Sequence, residues 1–227
     1  PDRFKLLHKL IKPAWRQIVD DSSKLTVPSR RLKKLIVSNG ISSRKIKVIP
    51  HGINMEFGDY KKEKIILYAG RLFKRKGVLE LINACENLPD GWKLVIAGDG
   101  NPDYKQRIVD ELEKKEIDAI MTGWLSKEEL IEWYKRSSIF VLPSSEESFG
   151  MVILEAMSYK NMVFAKEPCK EVVGKAGIIF KDNLKDKIEY YINNPKELKK
   201  YQKKAYERAK ELNYDSIIKK YEKVLWQ

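Results

Sequence analysis

Cysteine and histidine are almost missing from these 227 residues: Cys85, Cys169, His8 and His51 are the whole supply. Nothing in their spacing suits a zinc site, and two histidines cannot build a metal cluster between them, so no metal is expected. Two cysteines in unrelated contexts suit a reducing compartment, with both thiols packed and Cys85 inside a helix. A run of about 18 apolar residues is also lacking, as is an apolar signal-type segment near the start, so neither a spanning helix nor secretion is indicated. No Gly-Lys-Ser or Gly-Lys-Thr occurs, which removes the P-loop nucleotidases.

What is present is a core and an excess of positive charge. A hydrophobic content of 43% is enough for one large domain or two small ones. The net charge is +13, from 45 Lys+Arg against 32 Asp+Glu. Such an excess suits anionic lipid, nucleic acid or anionic substrates. Much of it lies on amphipathic segments such as Lys196 to Lys210, where lysines ordinarily form a solvated face, and no nucleic-acid motif with interleaved aromatics occurs. Nucleic acid is therefore not expected as a partner, whereas an acceptor at a membrane surface fits the charge.

Apolar runs alternate with helical-period segments, the pattern of parallel strands joined by helical crossovers. A first unit spans residues 1–57, with a helix over Arg3 to Val19, a strand over Lys24 to Val27, a helix over Ser29 to Ser38 capped by Ser29, and a strand over Lys47 to Ile49. It is too small for a doubly wound domain. A second unit, 58–227, carries strands at Ile65 to Ala69, Lys93 to Ala97, Ala119 to Met121, Ile139 to Leu142, Met162 to Ala165 and Ile178 to Phe180. Helices over Val78 to Asn87, Pro102 to Lys115, Lys127 to Arg136 and Gly150 to Tyr159 fall between them. The expected fold is α/β, a Rossmann-like parallel sheet with helices on both faces. From Leu184 onward the chain reads as two or three helices with Pro195 as a break, and a stripe of Tyr221, Leu225 and Trp226 is expected to pack on the domain.

Two loops carry the chemistry. Between the strand ending at Leu142 and the helix that follows, L-P-S-S-E-E-S-F-G places Glu147 at the helix mouth; Glu155, eight residues later, sits inside the helix. Glu155 is embedded among Met151, Val152, Ile153, Leu154, Ala156 and Met157, so its carboxylate needs a partner. The backbone N–H groups at Gly150 and Met151 open the helix and can hold phosphate without a cationic side chain. After the strand ending at Ala69, G-R-L-F-K-R-K-G runs from Gly70 to Gly77. Arg71 and Lys76 would neutralise a diphosphate there, while Lys74 and Arg75 read as solvated. Each charge taken alone is equally well explained as surface solvation.

Together these residues resemble the retaining glycosyltransferases of family four, enzymes of two-domain GT-B architecture. The resemblance rests on Pro143, Ser144, Glu147, Phe149, Gly150 and Glu155, and independently on Gly70 to Gly77. Looser matches are V-I-P-H-G-I-N at Val48 to Asn54, I-A-G-D-G at Ile96 to Gly100 and T-G-W-L at Thr122 to Leu125, in the same order and over roughly Lys24 to Tyr221. It implies that the chain is a fragment, the C-terminal donor domain with the end of the acceptor-side N-terminal domain, inactive by itself.

The resemblance further implies transfer of a sugar from a UDP-, GDP- or ADP-linked donor to a carbohydrate or lipid-linked acceptor, with retention of configuration and without cofactor or metal. Arg71, Lys76 and Glu147 would be catalytic. Gly70, Arg71, Lys76, Gly98, Gly123, Leu125, Glu147, Phe149, Gly150, Met151 and Glu155 would bind the donor, Glu155 at the ribose, Glu147 at the sugar, and Gly98 to Gly100 with Gly123 to Leu125 beside the base. A cytoplasmic place follows, at the inner face of the membrane if the acceptor is a lipid. This sequence departs from the pattern at K-E-P-C-K-E-V-V after Ala165, where the family has a glycine-rich loop and Glu171 stands in for a later glutamate. Asn54 replaces an aspartate and Lys160-Asn161 a glycine turn. The alternatives are a non-catalytic nucleotide or nucleotide-sugar module and, on charge alone, a basic nucleic-acid-binding Rossmann domain; an epimerase or phosphorylase is disfavoured by the paired glutamates.

Overall fold

Ser29 sets the geometry of the first unit. It is extended, with φ −146° and ψ 151°, and its side chain accepts from the Leu32 amide, so the chain enters helix α1, Arg30–Ser38, as a capped start. Strand β1, Leu25–Val27, pairs in parallel with β2, Ile46–Val48, and Val19, Val27, Ile41 and Ile46 form a small core beneath them. In this computed structural model residues 16–56 and 58–226 are described. Residues 16–21 are helical; the remainder of the helix expected from Arg3 lies outside the described residues, as does the expected boundary at residue 57.

The described residues of the second unit build a six-stranded parallel sheet from β3 (Glu63–Ala69), β4 (Lys93–Ala97), β5 (Ala119–Gly123), β6 (Ser137–Leu142), β7 (Met162–Ala165) and β8 (Ile178–Ile179). Every residue of β6 and β7 is buried, which requires cover on both faces and explains why Ile139–Leu142 and Met162–Ala165 read as unbroken apolar runs; β6 starts two residues earlier than expected, at the buried Ser137 and Ser138. The spatial order is β5-β4-β3-β6-β7-β8. From β3 the chain steps outward through β4 to β5, then returns to the other side of β3 as β6. The order therefore reverses between β3 and β6, and in open α/β sheets ligands bind beyond the carboxyl ends of the strands at such a switch point.

Helices α2 (Val78–Ala84), α3 (Pro102–Lys114), α4 (Lys127–Arg136) and α5 (Met151–Ser158) connect these strands. Helix α2 stops earlier than expected because Asn87 adopts a left-handed φ of 65°, which ends the turn before Pro89. Gly123, expected in a loop, is the last residue of β5. A short helix, α6 (Lys170–Val173), replaces the glycine-rich loop of the resemblance. At the other departure Lys160 takes the left-handed φ of 59° itself, and the buried Asn161 Nδ2 donates to the carbonyls of Tyr134, at 2.7 Å, and Ala156, at 3.0 Å. That amide ties the ends of α4 and α5 together.

Three helices close the chain: α7 (Leu184–Asn193), α8 (Pro195–Glu211) and α9 (Tyr214–Leu225). Helix α8 lies over α5 and β7. The turn between α8 and α9 is strapped to the segment after β2, with the Ile53 amide donating to Leu212 at 3.0 Å and the Tyr214 amide to Ile53 at 3.1 Å. The expected packing of the terminal stripe holds for Tyr221 but not for Leu225 and Trp226, which are 74% and 87% exposed. Ile217 is the buried residue of α9, Tyr221 and Val224 pack partly against the core, and Leu225 and Trp226 point away from it at the helix end. Among the described residues no helix is long and apolar enough to cross a membrane.

Candidate functional site

The loops leaving β3 and β6 meet at the switch point because glycine lets them touch. Gly77 has φ 73°, and a Cβ there would lie 2.4 Å from the carbonyl oxygen of Pro143, so only glycine lets residues 70–77 abut the β6 loop. The Ser145 amide then donates to the Arg75 carbonyl at 3.0 Å. The loop after β4 is drawn in the same way: a Cβ on Gly98 would fall 1.9 Å from the Gly70 carbonyl oxygen. Backbone bonds from Gly70 to Ala97 at 2.9 Å and from Gly98 to Gly123 at 2.8 Å stitch three strand ends into one rim.

On that rim Lys76 Nζ donates to Glu147 Oε1 at 2.5 Å, with both side chains less than a fifth exposed. The two residues read from separate motifs are thus one ion pair. Arg71 is exposed, and the buried Tyr68 hydroxyl donates to its carbonyl at 2.9 Å, fixing the turn that carries it. Gly150, with φ 94°, starts α5, and the first helical bonds run from Ile153 and Leu154 to the Gly150 carbonyl. The amides of Met151 and Val152 are left outside the helical ladder at the mouth.

Phe149 is 2% exposed and meets the exposed His51 ring edge to face at 5.4 Å. Its side chain anchors the loop in the core. The Cys169 thiol lies beneath the mouth, 3.2 Å from where a Gly150 Cβ would be. Burial and the Glu147 charge push it up to about 12; Cys85 is also pushed up to about 12, by burial. Both stay protonated and packed.

Glu155 has the partner that its apolar surroundings demand. The buried Tyr134 hydroxyl donates to Glu155 Oε2 at 3.1 Å. Burial and the neighbouring carboxylate hold that phenol well above its usual range, so Tyr134 remains a donor. The pair borders a cavity of about 290 Å³ lined by Asn54, Lys127, Leu130, Met151 and Tyr159. Leu125 is partly buried against the main core, while its neighbour Trp124 is 77% exposed.

Sequence reasoning missed Tyr134, since a tyrosine on a half-polar helix carries no mark of its partner. It read Ser29 only as a helix cap, and it missed Arg31. The Ser29 hydroxyl donates to the Ser148 carbonyl at 2.8 Å and Arg31 Nη1 to the Glu147 carbonyl at 2.9 Å. Glu171, noted only as a stand-in, accepts from the amides of Arg30 and Arg31.

Residues 54–208 match the family described as Glycosyl transferases group 1. The chain belongs to this family. Among its relatives, this group 1 chain is 28% identical over 184 residues to the lipopolysaccharide 1,2-N-acetylglucosaminetransferase of Salmonella typhimurium, a match covering 71% of this chain and 48% of that protein. It is 27% identical over 210 residues to the alpha-galactosylglucosyldiacylglycerol synthase of Streptococcus pneumoniae, covering 81% and 55%. The chain thus spans about half the length of these curated relatives. Its fold matches that of the Anabaena protein HepE in complex with UDP and glucose, with a TM-score of 0.81 at 18% identity over 90% of this chain and 63% of that one. The Staphylococcus aureus enzyme TarM, in a complex containing UDP, gives a TM-score of 0.77 at 20% identity over 89% and 44%. These are GT-B folds, as the motifs implied.

Proposed function

We propose that this chain is the donor-binding part of a retaining glycosyltransferase and holds a nucleoside-diphosphate sugar across the β3 and β6 loops. The observation that carries the reading is the convergence, at the switch point, of Arg71, the Lys76–Glu147 pair and the open start of α5. One of the two residues read as cations for a diphosphate, Lys76, is paired with the carboxylate read for the sugar, and the other, Arg71, is exposed on the same β3 loop. The UDP named for two structural neighbours supports a nucleoside diphosphate as ligand.

As the bond from the anomeric carbon to the diphosphate breaks, negative charge grows on the leaving phosphate. Arg71, Lys76 and the amides at Gly150 and Met151 meet that charge, with no metal required in the proposed reaction. Loss of either side chain costs rate by about 10²-fold or more. Glu155, oriented by Tyr134, accepts from the two ribose hydroxyls, a match for its two oxygens. Glu147 orients a sugar hydroxyl and steadies positive charge at the anomeric carbon. The acceptor is a carbohydrate or a lipid-linked acceptor, in keeping with the names of the relatives, and the reaction takes place in the cytoplasm, at the inner face of the membrane for a lipid-linked acceptor. Residues 1–57 are assigned to the acceptor side and 58–227 to the donor domain.

Calorimetric titration with UDP, GDP and ADP tests the reading. Binding selective for one base, and lost in both Arg71→Ala and Glu155→Ala, is the expected result. No binding of any of the three overturns it.

A further inference from the structure

Two residues of the small unit, Ser29 and Arg31, grip the loop that carries Glu147, and the amides of Arg30 and Arg31 hold Glu171 of α6 beside it. Ser29, 2% exposed, accepts from the Leu32 amide at 3.1 Å as the cap of α1 and with the same hydroxyl donates to the Ser148 carbonyl at 2.8 Å. The amides of Arg30 and Arg31 donate to separate oxygens of Glu171, at 2.9 and 3.0 Å. Arg31 Nη1 donates to the Glu147 carbonyl at 2.9 Å. All four bonds to the larger unit join residues between 116 and 141 positions apart, so they are tertiary contacts between the two units.

Helix capping accounts for part of this set. The first turn of α1 has no acidic side chain of its own, and Glu171 meets the positive end of the helix from the other unit. Capping does not explain why Ser29 and Arg31 take two successive carbonyls, those of Glu147 and Ser148. Fixing both orients the peptide planes on the C-terminal side of Glu147, while Lys76 holds its carboxylate. Glu147 is therefore restrained at its backbone by one unit and at its side chain by the other. By contrast Arg71, the start of α5 and the Tyr134–Glu155 pair all belong to the larger unit.

We propose that Ser29 and Arg31 are positioning residues for the sugar end of the donor site. Docking of α1 sets the backbone of Glu147, and with it recognition of the sugar, while the nucleoside diphosphate is read without their help. This rests on the donor reading above.

The test is calorimetric titration of the full chain and of its Ser29→Ala, Arg31→Ala and Arg31→Lys variants with UDP, UDP-glucose, UDP-galactose and UDP-N-acetylglucosamine. The best-bound UDP-sugar should weaken by about ten-fold in Arg31→Ala and Ser29→Ala, as loss of one hydrogen bond implies, with UDP itself changed less than about two-fold. Arg31→Lys, which keeps a cationic donor, should recover part of the loss. Equal weakening of UDP and UDP-sugar would show a merely structural contact and overturn the proposal alone, as would no change in either. An unsubstituted chain that binds UDP but gains nothing from any of the three sugars also overturns it alone. If the chain binds GDP or ADP in place of UDP, the same comparison is read with that nucleotide and its sugars; an unsubstituted chain that binds none of the three nucleotides removes the donor reading, and this proposal with it.

Discussion

Lys76 and Glu147, 71 residues apart in sequence, form a 2.5 Å ion pair where the β3 loop crosses the β6 loop. The pair holds both side chains in place before any ligand arrives, since each satisfies the other in a partly buried site. It also sets up a competition. A diphosphate that takes Lys76 releases Glu147, whose carboxylate is then available to sugar hydroxyls.

Glu147→Gln should therefore strengthen binding of UDP alone, by about three-fold, because Lys76 is no longer neutralised and one repelling charge is gone. The same variant should lose the additional affinity contributed by the sugar. Titration with UDP and with the best-bound UDP-sugar measures both; weaker UDP binding in Glu147→Gln would contradict the competition.

Tyr134→Phe removes the donor to Glu155 Oε2 without changing the ring that packs against Tyr159, 6.0 Å away and nearly parallel. Nucleoside diphosphate affinity should fall by about ten-fold, the scale of one hydrogen bond to a charged group. The sheet should stay folded. Affinity equal to that of the unsubstituted chain would mean that Glu155 needs no orienting partner.

Gly98→Ala and Gly123→Ala separate close approach from backbone strain. Both positions have positive φ, 141° and 69°, but a Cβ at Gly98 meets a backbone oxygen at 1.9 Å while one at Gly123 meets nothing within 4 Å. Urea unfolding should show Gly98→Ala destabilised by about 3 kcal/mol or more, and Gly123→Ala by about 1 kcal/mol, the strain alone. Equal losses would show that the rim tolerates separation of its loops.

Lys62 gives stability a pH dependence. Burial, and the like charge of Lys160, lower its pKa to about 7, and its Nζ donates to the Tyr134 carbonyl at 2.9 Å. In the unfolded chain an ordinary lysine keeps its proton until about pH 10.4. Above pH 7 the unfolded state thus binds more protons than the folded one, so this group adds stability as pH rises from about 7 toward 10 and contributes no slope below 7. Chemical denaturation across that window should show the rise in the unsubstituted chain. Lys62→Met should flatten it and be the more stable at pH 6.

Local chemistry made much of the fold legible. The apolar runs of β4 and β7 were bounded in the sequence as they are in the fold, and Ser29, Pro102 and Pro195 marked helix starts. Periodicity and capping act over a few residues, so a few residues suffice to read them. The Lys76–Glu147 contact depends on β3 lying beside β6, a property of strand order that no local pattern contains. The Tyr134–Glu155 bond and the grip of Arg31 on residue 147 are long-range in the same sense. Leu225 and Trp226 misled because an apolar stripe records what a helix can bury, not what lies opposite it.

The most direct test is a crystal structure of the chain grown with UDP. The account predicts the diphosphate between Arg71, Lys76 and the Gly150 and Met151 amides, the ribose hydroxyls on Glu155, and Glu147 parted from Lys76. UDP bound away from the β3 and β6 loops, or bound there with neither Arg71 nor Glu155 in contact, would contradict it.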